Sequence, residues 1–206
     1  MVKTHNAVAT RTRLLDAARD VIRTKGYTAT TVDDICAEAG VTKGGFFHHF
    51  ASKEQLAKSA IEQFNVMAAE IFSAAPYSAA PDPRDRVLGY VDFRAALLDR
   101  EIPQFTCLLG TTVQEVYTTH PDLRAACDQG MSGHVDALVR DIEAAKERYA
   151  PDAPWSAQSV GYFMQSVLQG AFIFAKAKQS PAVAVESLAH LRRYLEMLFG
   201  KPSNHN

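Results

Sequence analysis

Nine residues between positions 31 and 53 could do recognition chemistry: Thr31, Thr42, Lys43, Gly44, Gly45, Phe47, His48, His49 and Lys53. Thr31 and Thr42 stand where helices start, so their hydroxyls can donate to phosphate oxygens with the helix dipole behind them. Lys43 can reach a phosphate or a guanine edge, and Gly44 and Gly45 bare the backbone for close approach. His48 and Lys53 bring further donors. This is non-covalent chemistry suited to a polyanion rather than to bond-breaking. Each residue also has a plainer reading: an exposed Lys53 is otherwise a solvated charge. Adjacent histidines on a helix point about 100° apart, so His48 and His49 do not make a metal site. Neither a metal nor a cofactor is expected.

The elements that position these residues are short. Thr31 and Asp34 form a T-x-x-D capping box, after which Val32, Ile35, Cys36 and Ala39 share one helical face. Gly40 falls where a left-handed C-cap is wanted, and Val41 adds an apolar contact past the turn. Thr42 then caps a second helix that ends near Phe50, with Phe46 and Phe50 as its buried anchors. Its two early glycines each cost about 1 kcal/mol relative to alanine. Helix, glycine turn and a helix with a polar N-terminus make a helix-turn-helix.

The segment from Tyr27 to Leu56, with its K-G-x-x-x-x-H-F ending, resembles the N-terminal signature of TetR-type transcriptional regulators, a match running from about residue 13 to 56. The resemblance implies a regulator that binds double-stranded DNA, with Thr31, Thr42, Lys43, Gly44, Gly45, His48 and Lys53 at the contact, and that is not an enzyme. It places His49 on the DNA backbone side and makes the last two helices a homodimer interface. One residue departs from the pattern. The family usually has a phosphate-contacting tyrosine where this chain has Phe47, so that contact is absent. A two-fold dimer must hold its reading helices about 34–36 Å apart, which implies a near-palindromic operator.

The rest of the chain reads as all-α, about nine helices and no period-2 strand. Residues 1–8 read as a tail and 9–25 as helix 1, with Leu14, Leu15, Ala18, Val21 and Ile22 as its stripe. Ser52 and Gln55 open a long helix over 52–73, read as a lever leaving the head. Residues 74–83 form a proline-rich loop. Helices are expected over 84–100, 105–119, 121–149, 155–178 and 181–199, with Gly130 and Gly133 marking a bend or close packing in the third of these. The head is assigned to residues 1–51 and a sensing and dimerisation domain to 52–206.

Two inputs to that second domain are open. One is a small apolar ligand lined by Phe93, Leu97, Phe105, Leu109, Thr112, Phe163, Met164 and Phe172. Such stripes are more often plain core. The other is modification of Cys107 by an electrophile or oxidant. The stretch around Cys107 resembles the electrophile- and oxidant-sensing subgroup of the family, which implies that Lys176 lies near the thiol. A neighbouring ammonium raises the thiolate fraction. The plainer reading of Cys107 is a small buried hydrophobe. An enzyme using Cys107 as nucleophile would need a base, and His134 is the only central histidine. Nothing in the spacing supports that pair, and a helical interaction protein without DNA binding is the remaining alternative.

Composition agrees with this division. The chain has 206 residues, 47% hydrophobic and 22% charged, with a formal net charge of −1. Residues 1–60 carry nine Lys/Arg and six Asp/Glu, so 9 − 6 = +3, and the remainder carries 13 − 17 = −4. Three cysteines without a C-x-x-C pair give neither a disulfide framework nor a zinc site. With no signal sequence and no membrane-length apolar run, a cytoplasmic protein is expected.

Overall fold

The chain folds as helices throughout. The computed structural model describes residues 2–199, and side chains from residue 7 onward. Among the described residues there are ten helices: α1 (Val2–Lys25), α2 (Val32–Ala39), α3 (Lys43–His49), α4 (Lys53–Ser73), α5 (Pro83–Ala96), α6 (Ile102–Phe105), α7 (Leu108–Val116), α8 (Pro121–Tyr149), α9 (Ala157–Lys178) and α10 (Ala182–Phe199). A single 3-10 turn, Pro76–Ala79, punctuates the expected loop after α4. None of these helices is long and apolar enough to cross a membrane.

Three boundaries differ from expectation. Helix α1 begins at Val2, so most of the expected tail is helical; nothing there breaks the helix, because the stretch holds no proline or glycine. Helix α5 stops at Ala96 rather than near residue 100. The helix expected over 105–119 is the shorter α7, Leu108–Val116; Phe105 ends the separate α6, and Thr106 and Cys107 lie between the two. Cys107 therefore caps α7 instead of sitting inside a helix.

The chain packs as two units. The first holds residues up to Ala68 together with Thr106–Met131; the second holds Ala69–Phe105 and the chain from Ser132. In the first, Leu14, Ala18 and Ile22 of α1 meet Ile35 of α2, Phe46 of α3, Leu56 and Ile61 of α4, Leu108 of α7 and Leu123 of α8. Burying each of these leucines, isoleucines and the phenylalanine is worth roughly 1.5–3 kcal/mol. Gly130 of α8 is packed closely, since a Cβ there would overlap Asn65 and Leu109. In the second unit, α10 packs on α9 and α5; Leu188, Leu191 and Leu195 of α10, Met164 and Leu168 of α9, and Leu88 and Val91 of α5 are all buried.

Candidate nucleic-acid interface and effector region

The turn between α2 and α3 is closed by the interactions its sequence specifies. Thr31 Oγ1 accepts from Asp34 N–H at 3.1 Å, and Asp34 Oδ2 accepts from Thr31 N–H at 2.9 Å. The reciprocal box satisfies two orphan donors of α2. Lys25 Nζ donates to the same carboxylate at 2.7 Å. That bond, with those donated to the carboxylate by the Thr31 N–H and by the Thr31 hydroxyl at 2.8 Å, holds Asp34 down to about 2. Gly40 takes the left-handed conformation at φ 61°, and Val41 N–H closes on Cys36 O at 3.0 Å. Thr42 Oγ1 accepts from Gly45 N–H at 3.1 Å, which caps α3.

The two glycines of α3 have different reasons. A Cβ on Gly45 would come within 2.8 Å of Val41 Cγ1, so packing of the turn requires glycine there. Gly44 has only Thr42 Oγ1 at 3.9 Å and is open to approach from outside. Phe46 is buried as the anchor, whereas Phe47 is 56% exposed with its ring edge-on to Phe46 at 5.0 Å. His48 is exposed and His49 partly so.

The two lysines stand in unlike settings. Lys43 is exposed and pairs with Asp33 at 2.9 Å. That hydrogen bond raises its pKa. Lys53 is half-buried: its ammonium donates to Tyr27 O at 3.0 Å and Thr30 O at 2.9 Å and lies 4.3 Å from the centre of the Tyr27 ring. Burial lowers its pKa. Two of its three donors are thus spent fastening α4 to the turn after α1, leaving one that can point outward.

Cys107 lies in the same unit as this head. Its Sγ accepts from Gly110 N–H at 3.4 Å, at the N-terminus of α7. One residue earlier, Thr106 O accepts from Arg23 Nε of α1 at 3.0 Å. Further along α7, Glu115 Oε2 accepts from Thr28 N–H at 2.7 Å. The segment carrying Cys107 is therefore bonded at both ends to the turn and helix that frame α2. Cys127 is fully buried, and burial pushes its thiol up to about 12 with Cys107 adding to the effect.

The expected lining residues are divided between the two units. Leu109 and Thr112 are buried in the first unit, while Phe93, Leu97, Phe105, Met164 and Phe172 belong to the second. Phe163 is 43% exposed, with its ring 5.0 Å from that of Tyr194 on the outer side of α9 and α10. Lys176 belongs to the second unit and Cys107 to the first. His134 Nε2 is paired with Tyr90 Oη at 2.9 Å.

Comparison with known proteins decides the family. Residues 14–60 match the model for bacterial regulatory proteins of the tetR family, and residues 83–191, more than half of the chain, match the tetracycline-repressor-like C-terminal domain. The chain belongs to the TetR family. It is 24% identical over 191 residues to the HTH-type transcriptional repressor NemR of Escherichia coli K12, covering 93% of this chain and 96% of that one. It is 27% identical over 174 residues to the transcriptional regulator AcuR of Cereibacter sphaeroides, covering 82% of this chain and 77% of that one. The crystal structure of reduced E. coli NemR superposes with a TM-score of 0.79 at 23% identity, over 94% of this chain and 98% of that one. A TetR-family regulator from Agrobacterium tumefaciens gives 0.81 at 17% identity, over 94% and 99%. These relatives are DNA-binding regulators, and this TetR-family chain is a transcriptional regulator of the same kind, not an enzyme.

Several residues that matter to this TetR-family chain carry no sequence signal. In the sequence Arg23 is one more charge on α1, yet it is buried and bonded to a backbone 83 positions away. Glu115 is a polar residue in an apolar helix, and Arg94 lies in no motif. No spacing rule links residues whose partners lie so far along the chain.

Proposed function

We propose that the protein is a homodimeric repressor that binds a near-palindromic operator through α3 and is released by a small-molecule or electrophilic effector. The DNA contacts assigned are Thr31, Thr42, Lys43, Gly44, His48, His49 and the remaining donor of Lys53, with Phe47 facing the DNA backbone without the family's hydroxyl and Gly45 keeping the turn tight. The observation that carries this reading is the doubly capped α2–α3 turn, which leaves Lys43, Gly44, Phe47 and His48 outward. Lys43 exchanges Asp33 for phosphate on binding. Such exchange releases counterions, so affinity falls steeply with salt.

The dimer is assigned to α9 and α10. Tyr162 and Ile173, and likewise Phe163 and Phe174, are exposed and eleven positions apart, three turns along one face of α9. Tyr194 and Met197 of α10 are exposed as well. A contiguous apolar face of this kind marks an interaction surface. Gly170 lies on it, and a Cβ there would meet nothing within the chain. A mid-helix glycine costs about 1 kcal/mol, a cost offset when a second helix crosses closely at that point.

Release is assigned to two routes. An effector can bind among Phe93, Leu97, Phe105, Met164 and Phe172. Alternatively, alkylation or oxidation of Cys107 places a bulky or polar group at the N-cap of α7, disturbing the Arg23–Thr106 and Thr28–Glu115 bonds next to the head. Either route lowers DNA affinity only by its differential affinity for the two states. The protein acts in the cytoplasm, where its DNA is.

The test is a gel shift with DNA upstream of the protein's own gene. Retarded DNA that is released by an electrophile in wild type but not in Cys107→Ser supports both parts. Absence of any retarded band at low salt sinks the operator reading. Release of the Cys107→Ser variant by electrophile sinks the thiol route alone.

A further inference from the structure

The second unit holds a cation whose surroundings are wrong for a structural ion pair. Arg94 of α5 is half-buried, with its guanidinium carbon 5.2 Å from the centre of the Phe72 ring and 5.4 Å from that of Phe172. Among the described residues, no carboxylate lies within ion-pair distance of it, and no hydrogen-bond acceptor meets it. The acids of the neighbouring helices are committed elsewhere. Asp92 is held by Arg192 at 2.7 Å, and Asp141 by Arg86 at 2.7 Å. A guanidinium stacked on aromatic faces keeps its in-plane N–H groups free for an incoming acceptor.

The polar groups around it are arranged but neutral. Tyr90 Oη accepts from Gln165 Nε2 at 2.8 Å and is paired with His134 at 2.9 Å. The His134 ring lies 4.8 Å from that of Phe72. Burial, with Arg94 adding to it, pushes His134 down to about 4, so at neutral pH the imidazole carries no charge. Beyond this polar group, Phe93 packs on Phe72 at 5.8 Å, and Phe105 on Phe172 at 5.9 Å. The region therefore offers one positive charge with a planar donor fork, flanked by aromatic walls.

We propose that Arg94 anchors a binding site for a small organic acid, its carboxylate on the guanidinium and its apolar or aromatic body against Phe72, Phe93 and Phe172. A single fixed positive charge matches a monoanion, and the planar fork matches a carboxylate bidentately. A phosphate dianion would be left half-neutralised. Tyr90, held by Gln165 and His134, stands as the neutral polar neighbour of the bound carboxylate. This inference rests on the ligand-released reading above and names the chemical class of that ligand.

The experiment is titration calorimetry on the intact protein without DNA, using matched pairs: benzoate and benzamide, phenylacetate and phenylacetamide, hexanoate and hexanamide. The amide keeps size and shape but turns an NH2 donor toward a donor fork. At least one acid is expected to bind ten-fold or more tighter than its amide, and Arg94→Met to remove about ten-fold of that affinity with the helical circular dichroism unchanged. Arg94→Gln serves if the methionine variant does not fold. The site is overturned if no acid binds up to about 10 mM, if acid and amide bind alike, or if the variant binds the acid as wild type does. Displacement of DNA is measured separately. An acid that binds at Arg94 without displacing DNA leaves this site standing and overturns the ligand-release route instead.

Discussion

The DNA-reading head and the aromatic interior of the second unit are built on opposite plans. In the head, the caps that shape the reading motif are closed by neighbours three residues away: Thr31 by Asp34, Thr42 by Gly45, Gln55 by Ser52 at 3.1 Å. In the second unit, the polar group is assembled from far along the chain, with Tyr90 meeting His134 and Gln165 at separations of 44 and 75 residues. Local caps fix a small motif without needing a large core. Long-range polar clusters need the whole unit folded, and then they can be tuned by what enters. The first plan suits a fixed reading device and the second a responsive one.

The largest expected effect breaks the comparison if it fails. His134 sits at about 4 in the folded protein against an ordinary value of 6.5. The unfolded chain therefore binds more protons between those values, and stability falls as pH drops from about 6.5 toward 4. The full difference is of order 3 kcal/mol. Denaturation midpoints at pH 7 and 4.5 should differ markedly more in wild type than in His134→Gln. Equal pH dependence in the two would mean that the interior cluster is no more demanding than the head.

The second test compares two lysines within the head. Lys53→Ala removes an ammonium from two carbonyls and an aromatic face, a loss of about 1.5–3 kcal/mol by the usual worth of charged hydrogen bonds. Lys43→Ala removes only an exposed ion pair and should leave stability within about 0.5 kcal/mol. Both should weaken operator binding, and Lys43→Ala should reduce the salt slope by about 1. Urea melts and anisotropy at several salt concentrations separate the two. If both variants melt as wild type does, Lys53 is a surface cation after all.

What the sequence disclosed follows the same division. Both caps, the Gly40 turn, the Pro121 start of α8 and the last two helices lie where spacing puts them. The Ser52 box is met in altered form, with Gln55 Oε1 accepting from Ala51 N–H rather than from Ser52. The break at Cys107 is hidden because no proline or glycine marks it, and apolar residues run through both α6 and α7. The Arg94 cluster is hidden for a different reason: a helix-period pattern shows which residues are buried, not which ones meet across 40 or 75 positions.

A third test concerns the outer face of the second unit, where the proposed second subunit would take the place of a distant residue within the chain. Gly170→Leu fills space that is empty in one subunit. It should leave the monomer's helicity unchanged, while overpacking a close helix crossing costs about 1–3 kcal/mol of dimer stability. Sedimentation at low concentration would show dissociation. A variant dimer as tight as wild type would move the interface away from this face of α9.

The smallest expected effect is a gain rather than a loss. Phe47 is exposed on α3 and stands where the family usually carries tyrosine. Its ring already rests on Phe46 at 5.0 Å, so a para hydroxyl is added at the solvent end of a side chain held in place. Phe47→Tyr should then restore one phosphate hydrogen bond per subunit, worth about 0.5–1.5 kcal/mol each. Operator affinity should rise several-fold, with no change in melting temperature, because the hydroxyl is exposed in the free protein. The salt slope should stay the same, since a neutral hydroxyl displaces no counterion. An unchanged affinity would place the Phe47 ring against base edges, where a thymine methyl prefers the apolar face. In that case the bare ring is part of how this chain selects its operator, and the head would be less fixed in its reading than its local caps imply.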